Sequence, residues 1–272
     1  MRKFEENTSV KQDSDNIKEV KSIYNVPAVD RAARIMTILA ARTREMTLAE
    51  IVAATGYHKS SVHKILVTLC HHKFLVRDEF SKRYSLGIGL VQCGQAVLDN
   101  LNINRTAKSC LKELADFSGE TANLGVLNGI QIVIVDSMEA ESDIRVVPPV
   151  GTMDSVINKS SGKAVLAHFP TDLVGKIIER EGLKANTKNS ITSMKKFLKE
   201  LDTVREQGYA TDFEEFREGI SAVSAPIYDI NGKVAGTLSI IGPAFRLTRE
   251  KMPVYGRKCA DIAKRVLFPV NR

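Results

Sequence analysis

With 272 residues, 43% hydrophobic and 26% charged, the chain has room for two cores and the composition of a globular protein, which excludes a disordered or fibrous one. No apolar run approaches the roughly 18 residues of a membrane span, and Cys70, Cys93, Cys110 and Cys259 form no C-x-x-C pair that would hold structural zinc. The formal net charge of +7 is unevenly placed: residues 26–89 carry ten Lys or Arg against five acids, whereas residues 1–25 balance five against five, so a polyanionic partner is expected for the basic segment.

Residues 1–25 are polar, show little periodicity and read as a disordered tail. Helical spacing then begins: Val29, Ala32, Ile35, Met36 and Leu39 share one face, and Pro27 and Asp30 fit its start. Thr47-Leu48-Ala49-Glu50 spells a capping box for a second helix, which Gly56 ends. A third helix, His58 to His72, has Val62, Ile65, Leu66 and Leu69 on its apolar face. Short strands follow at Phe74–Arg77 and Arg83–Leu86 around the polar turn 78–82. A further helix is expected from Leu86 to about Leu101, and another from about Ile103 to Phe117.

Beyond that point strands dominate. Ala122–Leu127 and Ile130–Asp136 flank Asn128-Gly129, a hairpin signal. Ile144–Val147 is a shorter candidate strand. Helices are expected at Ser160–His168, Thr171–Glu181 and Ser190–Gln207, strands at Tyr209–Asp212, Ile220–Asp229 and Lys233–Gly242, and a closing helix at about Thr248–Leu267. The pattern is α+β, built on an antiparallel sheet. The expected division is 1–25 tail, 26–86 winged helix-turn-helix, 87–102 linker helix and 103–272 a second, larger domain.

Two short helices joined at a glycine turn and followed by a two-stranded ribbon have the layout of a winged helix-turn-helix. The third helix opens with short polar and basic groups, the kind that reach base edges and phosphates in the major groove. Lys59 and Lys64 suit phosphates; Ser60, Ser61 and His63 suit bases or backbone. Arg77, Lys82 and Arg83 on the ribbon can touch a neighbouring backbone or minor groove. A small helical bundle with a solvated basic face is the plainer alternative.

The stretches Val29-Asp30-Arg31-Ala32, Leu48-Ala49-Glu50-Ile51, Lys59 to Leu69 and Tyr84-Ser85-Leu86-Gly87 resemble the IclR-type transcription regulators. So do Ser161 to Ala167, Gly208 to Asp212, Gly219-Ile220, Ala225-Pro226-Ile227 and Gly242-Pro243 with Arg246-Leu247-Thr248. Together they cover about residues 26–268. The resemblance implies a GAF-like sensor domain after the linker helix and dimers or tetramers on palindromic double-stranded operators. It also implies a small-molecule effector, a carboxylate in the form of a small organic or sugar acid, with no cofactor and no membrane partner. Lys64 departs from the family, which usually has Arg there. In the sensor, Ser160, Ser161 and Gly162 would offer hydroxyls and the amides of a helix start. The resemblance adds Asp212, Ile220, Ala222 and Ser239 on facing strands, with Val146, Ile220 and Ile241 as apolar walls. An ordinary helix cap, a turn acid and a backbone-bonded strand serine are the plainer readings of Ser160/Ser161, Asp212 and Ser239.

Ser160-Ser161-Gly162-Lys163 also spells S-x-x-K, the acylating motif of penicillin-binding enzymes. The chain has no K-T-G, and its one S-D-N, Ser14-Asp15-Asn16, lies in the tail. A serine hydrolase using Ser160 and Lys163, and a constitutive DNA-binding protein without ligand, are the competing readings. A regulator of a metabolic operon, not an enzyme, in a reducing cytoplasm that keeps its thiols free, is the expectation.

Overall fold

The computed structural model describes residues 25–42, 44–100, 105–157 and 159–266. The expected tail, apart from Asn25, and the end of the expected linker helix at 101–102 lie outside them. The chain divides into two compact units between Ala96 and Val97.

In the first unit α1 (Pro27–Ala40) starts on a proline, whose missing N–H is no loss at that position. A two-residue strand, β1 (Met46–Thr47), leads into α2 (Leu48–Thr55). The capping box is formed: the Glu50 amide donates to Thr47 Oγ1 at 3.3 Å, and the Thr47 amide donates to Glu50 Oε2 at 2.7 Å. Gly56 closes α2 in the left-handed region at φ +71°. The turn leads to α3 (Lys59–His71), then β2 (Leu75–Arg77) and β3 (Arg83–Leu86). The small sheet runs β1-β3-β2, all antiparallel, so the ribbon has a third strand that the sequence did not announce. Ile35, Leu39, Ile51, Val62, Leu66 and Leu75 meet in its core. After the ribbon Gly87 and Gly89 pass so close to Lys73 that a Cβ would lie 2.2 and 2.8 Å from its carbonyl oxygen. The helix α4 (Gly89–Asn100) begins there and contains the division between the units.

The second unit holds α5 (Arg105–Ser118), β4 (Thr121–Asn128), β5 (Gln131–Met138), β6 (Met153–Ser155), α6 (Ser160–Leu166), α7 (Thr171–Glu181) and α8 (Met194–Gln207). Then come β7 (Ala210–Phe213), β8 (Ile220–Tyr228), β9 (Val234–Pro243) and α9 (Met252–Ala263). The six strands form one antiparallel sheet in the order β6-β5-β4-β9-β8-β7. Because side chains alternate along a strand, each strand gives one set to each face. Leu124, Val223, Leu238 and Ile240 pack with Leu111 and Leu114 of α5 and Cys259 and Ile262 of α9. On the other face Ile132 and Ala210 join a second core with Val165 and Leu166 of α6, Ile177 of α7 and Phe197, Leu201 and Val204 of α8. All four cysteines are free, and burial pushes the Cys259 thiol up to about 12.

Two expected elements are corrected. Ile144–Val147 is not a strand. The edge of β5 it would have joined is occupied by residues 151–155: the Ile134 amide donates to Thr152 at 3.0 Å, and β6 pairs with Gln131–Val133. Pro148 and Pro149 follow the segment and have no N–H to offer a ladder. Residues 190–193 do not belong to α8, because the Ser190 hydroxyl ties the preceding loop instead, accepting from the Asn186 and Thr187 amides and donating to the Glu215 carbonyl at 2.6 Å.

Candidate functional site

The first unit presents a polar helix face. Lys59, Ser60, His63 and Lys64 are exposed on α3, opposite the buried Val62, Leu66 and Leu69. Ser61 is half-buried and accepts from Arg31 Nη1 of α1 at 3.0 Å, so its hydroxyl orients α3 on its neighbour. The Arg31 guanidinium also lies 5.4 Å from the centre of the Tyr57 ring. The sequence reading passed over Val67, which stands 54% exposed on this face, an apolar group of the kind that fits a thymine methyl.

On the ribbon Arg77 and Lys82 are exposed. Lys82 takes a positive φ of 56° and pairs with Glu79 at 3.2 Å. Arg83 has an internal role: its Nη1 donates to the Glu45 carbonyl at 2.9 Å and to Glu50 Oε2 at 3.1 Å. It therefore locks the ribbon to the start of α2. Hydrogen bonds from Thr47, with Arg83 and Arg44 nearby, hold the Glu50 carboxyl below its usual range.

The second unit contains a cavity of about 300 Å³ on the sheet face away from α5 and α9, at the small end of the range for ligand sites. Strands supply its floor through Asn123, Ile132, Ile134, Asp212, Ala222, Ser224, Thr237, Ser239 and Ile241. The segment Val146–Pro149, freed from the sheet, crosses its side, and Ser160, Ser161, Lys159, Phe216, Arg217 and Ile220 complete the wall. All the expected pocket residues thus line it except Gly162. That glycine lies behind the wall, where a Cβ would fall 2.0 Å from the Val156 carbonyl oxygen; it lets α6 sit close enough for Ser160 and Ser161 to face the cavity.

Three buried serines form a chain. Ser160 Oγ lies 2.8 Å from Ser224 Oγ, which lies 2.7 Å from Ser239 Oγ. Each hydroxyl has one proton to donate, and two links use two of the three, so one O–H remains for the cavity. Linked hydroxyls polarise one another, which strengthens that last donor. Ser224 was not named in advance. Its pairing with Ser239 across β8 and β9 is a register property.

Across the cavity Asp212 is 6% exposed, and its Oδ1 accepts the Glu215 amide at 2.7 Å and the Phe216 amide at 3.4 Å. Burial pushes the Asp212 carboxyl above its usual range, against those amides and the nearby Lys163 and Lys159. The Lys159 ammonium sits 4.0 Å from the centre of the Phe216 ring. Behind Asp212, Lys163 is fully buried; its Nζ donates to Glu215 at 2.7 and 2.9 Å and to Glu200 at 3.3 Å. Those three bonds use its three protons, so the S-x-x-K lysine serves an ion pair and is not placed as a base for Ser160. Burial raises the Glu215 carboxyl, with Lys163 opposing. His168, the one histidine outside residues 58–72, meets the Tyr228 hydroxyl at 3.1 Å. Among the described residues no group of His, Cys, Asp and Glu could hold a metal ion, and no helix is long and apolar enough to cross a membrane.

Comparison with known proteins covers both units. The model of the IclR helix-turn-helix domain matches residues 28–79, and that of the bacterial transcriptional regulator IclR C-terminal matches residues 95–267. The chain is 30% identical over 241 residues to the HTH-type transcriptional regulator KdgR of Escherichia coli, covering 88% of this chain and 92% of that protein. It is 33% identical over 230 residues to the glycerol operon regulatory protein of Streptomyces coelicolor, covering 83% and 88%. A crystal structure of an IclR transcriptional regulator from Alicyclobacillus acidocaldarius matches with a TM-score of 0.80 at 32% identity, over 89% of this chain and 97% of that one.

Proposed function

The chain belongs to the IclR family of bacterial transcriptional regulators, DNA-binding proteins rather than enzymes, and from that premise we propose that it controls a metabolic operon in response to a small organic acid bound in the cavity of its second unit. The observation that carries the reading is the serine chain: Ser160, Ser224 and Ser239, linked through their hydroxyls with one proton to spare, line a cavity that also receives Ser161 and the cations Lys159 and Arg217. Such donors suit a carboxylate in a site with little water.

In this reading α3 enters the major groove with Lys59, Ser60, His63 and Lys64. Arg77 and Lys82 reach the flanking backbone, and Ser61 and Arg83 hold the reading head in shape. Two copies on DNA place two such helices about one turn apart, so the operator is an inverted repeat. A dimer or a pair of dimers fits that arrangement, and the protein acts in the cytoplasm where the operon lies. The acid changes DNA binding only to the extent that it prefers one arrangement of the heads.

The test is a thermal-shift screen of the full chain against small organic acids, followed by titration of any hit against promoter DNA. A concentration-dependent rise in Tm, lost in Ser239→Ala, together with altered DNA affinity, is expected. A hit with an unaltered response in Ser239→Ala removes the cavity assignment; DNA binding that no acid changes leaves a constitutive DNA-binding protein. On the DNA side, Lys59→Ala is expected to flatten the salt dependence of affinity by one phosphate contact, and an unchanged slope removes Lys59 from the interface.

A further inference from the structure

The exposed face of α3 carries one side chain that can bind no phosphate. Among the described residues Val67 is the one large apolar group of α3 that stands well exposed, at 54%. A lone exposed valine is ordinary on a protein surface; one at the centre of a helix face that is otherwise polar and basic is not. Ser60 and Val67 are seven residues apart, two helical turns less about 20°, and Lys64 falls between them. All three are exposed, on the side away from the buried Val62, Leu66 and Leu69. Val67 therefore stands in the middle of the polar face and not at the margin of the core. Helix propensity does not account for it, because a β-branched residue is a poorer helix former than alanine, lysine or arginine.

Two neighbouring hydroxyls are occupied by the protein itself. Ser61 Oγ accepts from Arg31 Nη1, and Thr68 Oγ1 donates to the Lys64 carbonyl at 2.9 Å. What remains exposed over residues 59–67 is Lys59, Ser60, His63, Lys64 and Val67. The first four act through polar bonds to phosphates or to donors and acceptors on base edges. The mark of a thymine in the major groove is its C5-methyl group, which is met by apolar contact, and Val67 is the apolar member of the five. At about 1.5 Å per residue Val67 stands roughly 10 Å further along α3 than Ser60, the length of about three base steps of 3.4 Å.

On the reading of α3 as the helix that enters the major groove, we infer that Val67 is a specificity-determining residue that packs against the C5-methyl group of a thymine in each half-site of the operator. The cations of the face, Lys59 and Lys64, draw in any duplex through its phosphates, which carry no sequence information. Val67 adds no such attraction. It favours the one base whose groove edge is apolar over the three that lack the methyl group.

The test begins by selecting the operator from random duplexes with the full chain. Affinity is then measured for that operator with each thymine of a half-site replaced in turn by uracil, which removes the methyl group and nothing else. At one position uracil is expected to weaken wild-type binding about fourfold, the loss of one buried methyl contact. Val67→Ala puts the better helix former at an exposed position and keeps the fold. It is expected to bind the thymine and uracil operators alike, so that the two changes are coupled. Its salt dependence stays that of the wild type, because Val67 touches no phosphate. A selected half-site without thymine, uracil that costs less than about twofold at every position, or a Val67→Ala chain that still discriminates against uracil each overturn the inference. In those cases a salt slope flattened by Lys59→Ala leaves α3 the groove helix. A chain that selects no operator brings down the inference together with the reading of α3.

Discussion

Lys163→Met isolates the buried ion pair behind the cavity. The substitution keeps a long unbranched side chain and removes the charge, leaving Glu215 with a carboxylate that is 12% exposed and has lost both of its short bonds to Lys163. Glu200, 28% exposed, can turn to water; Glu215 cannot. Removing one partner of a buried pair typically destabilises by about 3–5 kcal/mol, which for a unit of this size lowers Tm by about 6–20 °C. Burial already raises the Glu215 carboxyl, and without Lys163 it rises further. A carboxyl whose folded pKa exceeds its unfolded one costs stability above the folded pKa, and that loss fades as pH falls through it. Scanning calorimetry of the full chain at pH 5 and pH 8 therefore expects the larger Tm loss at pH 8. The double variant Lys163→Met, Glu215→Leu removes both charges and is expected to be more stable than Lys163→Met alone. A loss under about 1 kcal/mol that does not vary with pH, or a double variant less stable than the single one, would refute the pairing as the reason for Lys163.

Asp212→Asn should flatten the pH dependence of acid binding. With the Asp212 carboxyl raised by burial, its ionisation places a negative charge beside an anionic ligand as pH rises, so wild-type affinity falls as pH rises through that raised pKa; equal slopes in titrations of both proteins would contradict this. Ser221→Ala is expected to be neutral or stabilising by up to about 1 kcal/mol in a urea melt, since the Ser221 hydroxyl is buried without a hydrogen-bond partner among the described residues. A loss above that size would mean the hydroxyl has an unseen partner. Thr47→Ala should cost the first unit about 0.5–2 kcal/mol by removing the α2 cap. The Glu50 carboxyl, held low mainly by Thr47, contributes stability above its ordinary pKa that is lost as pH falls, and Thr47→Ala should shrink that acid sensitivity; identical acid melts would argue against it.

Local chemistry made the first unit legible. Thr47, Glu50 and Gly56 act within one helix, so their roles can be read from spacing alone, and the structure forms the bonds that the spacing implied. The hairpin at Asn128-Gly129 was equally local, with Gly129 at φ +62°. Contacts between distant segments were not legible. Arg83 looked like an exposed wing cation until Glu50, brought from another element, took its guanidinium. The alternation of Ile144–Val147 suggested a strand, but pairing depends on which edge is vacant, and residues 151–155 fill it.

Ser160-Ser161-Gly162-Lys163 shows most clearly why a motif needs its surroundings. The same four residues read as a helix cap, as an acylating motif or as part of a ligand site. Strand register sets the surroundings of each residue. Ser160 meets Ser224 because β8 presents that serine at the height of the α6 start, and the chain continues to Ser239 through strand pairing. Gly162 brings α6 onto the Val156 backbone, an approach that any side chain would block. Lys163, one residue further round the helix, points away from the cavity serines into Glu215, whose own amide holds Asp212. The ion pair thus fixes an acid on the cavity wall through the Glu215 backbone, and the serine chain fixes a donor facing the same space. A nucleophile would need its lysine free and near Ser160; here the lysine is fully bonded elsewhere, and the serine hydroxyl belongs to a hydrogen-bonded chain suited to holding an oxyanion rather than attacking a carbonyl.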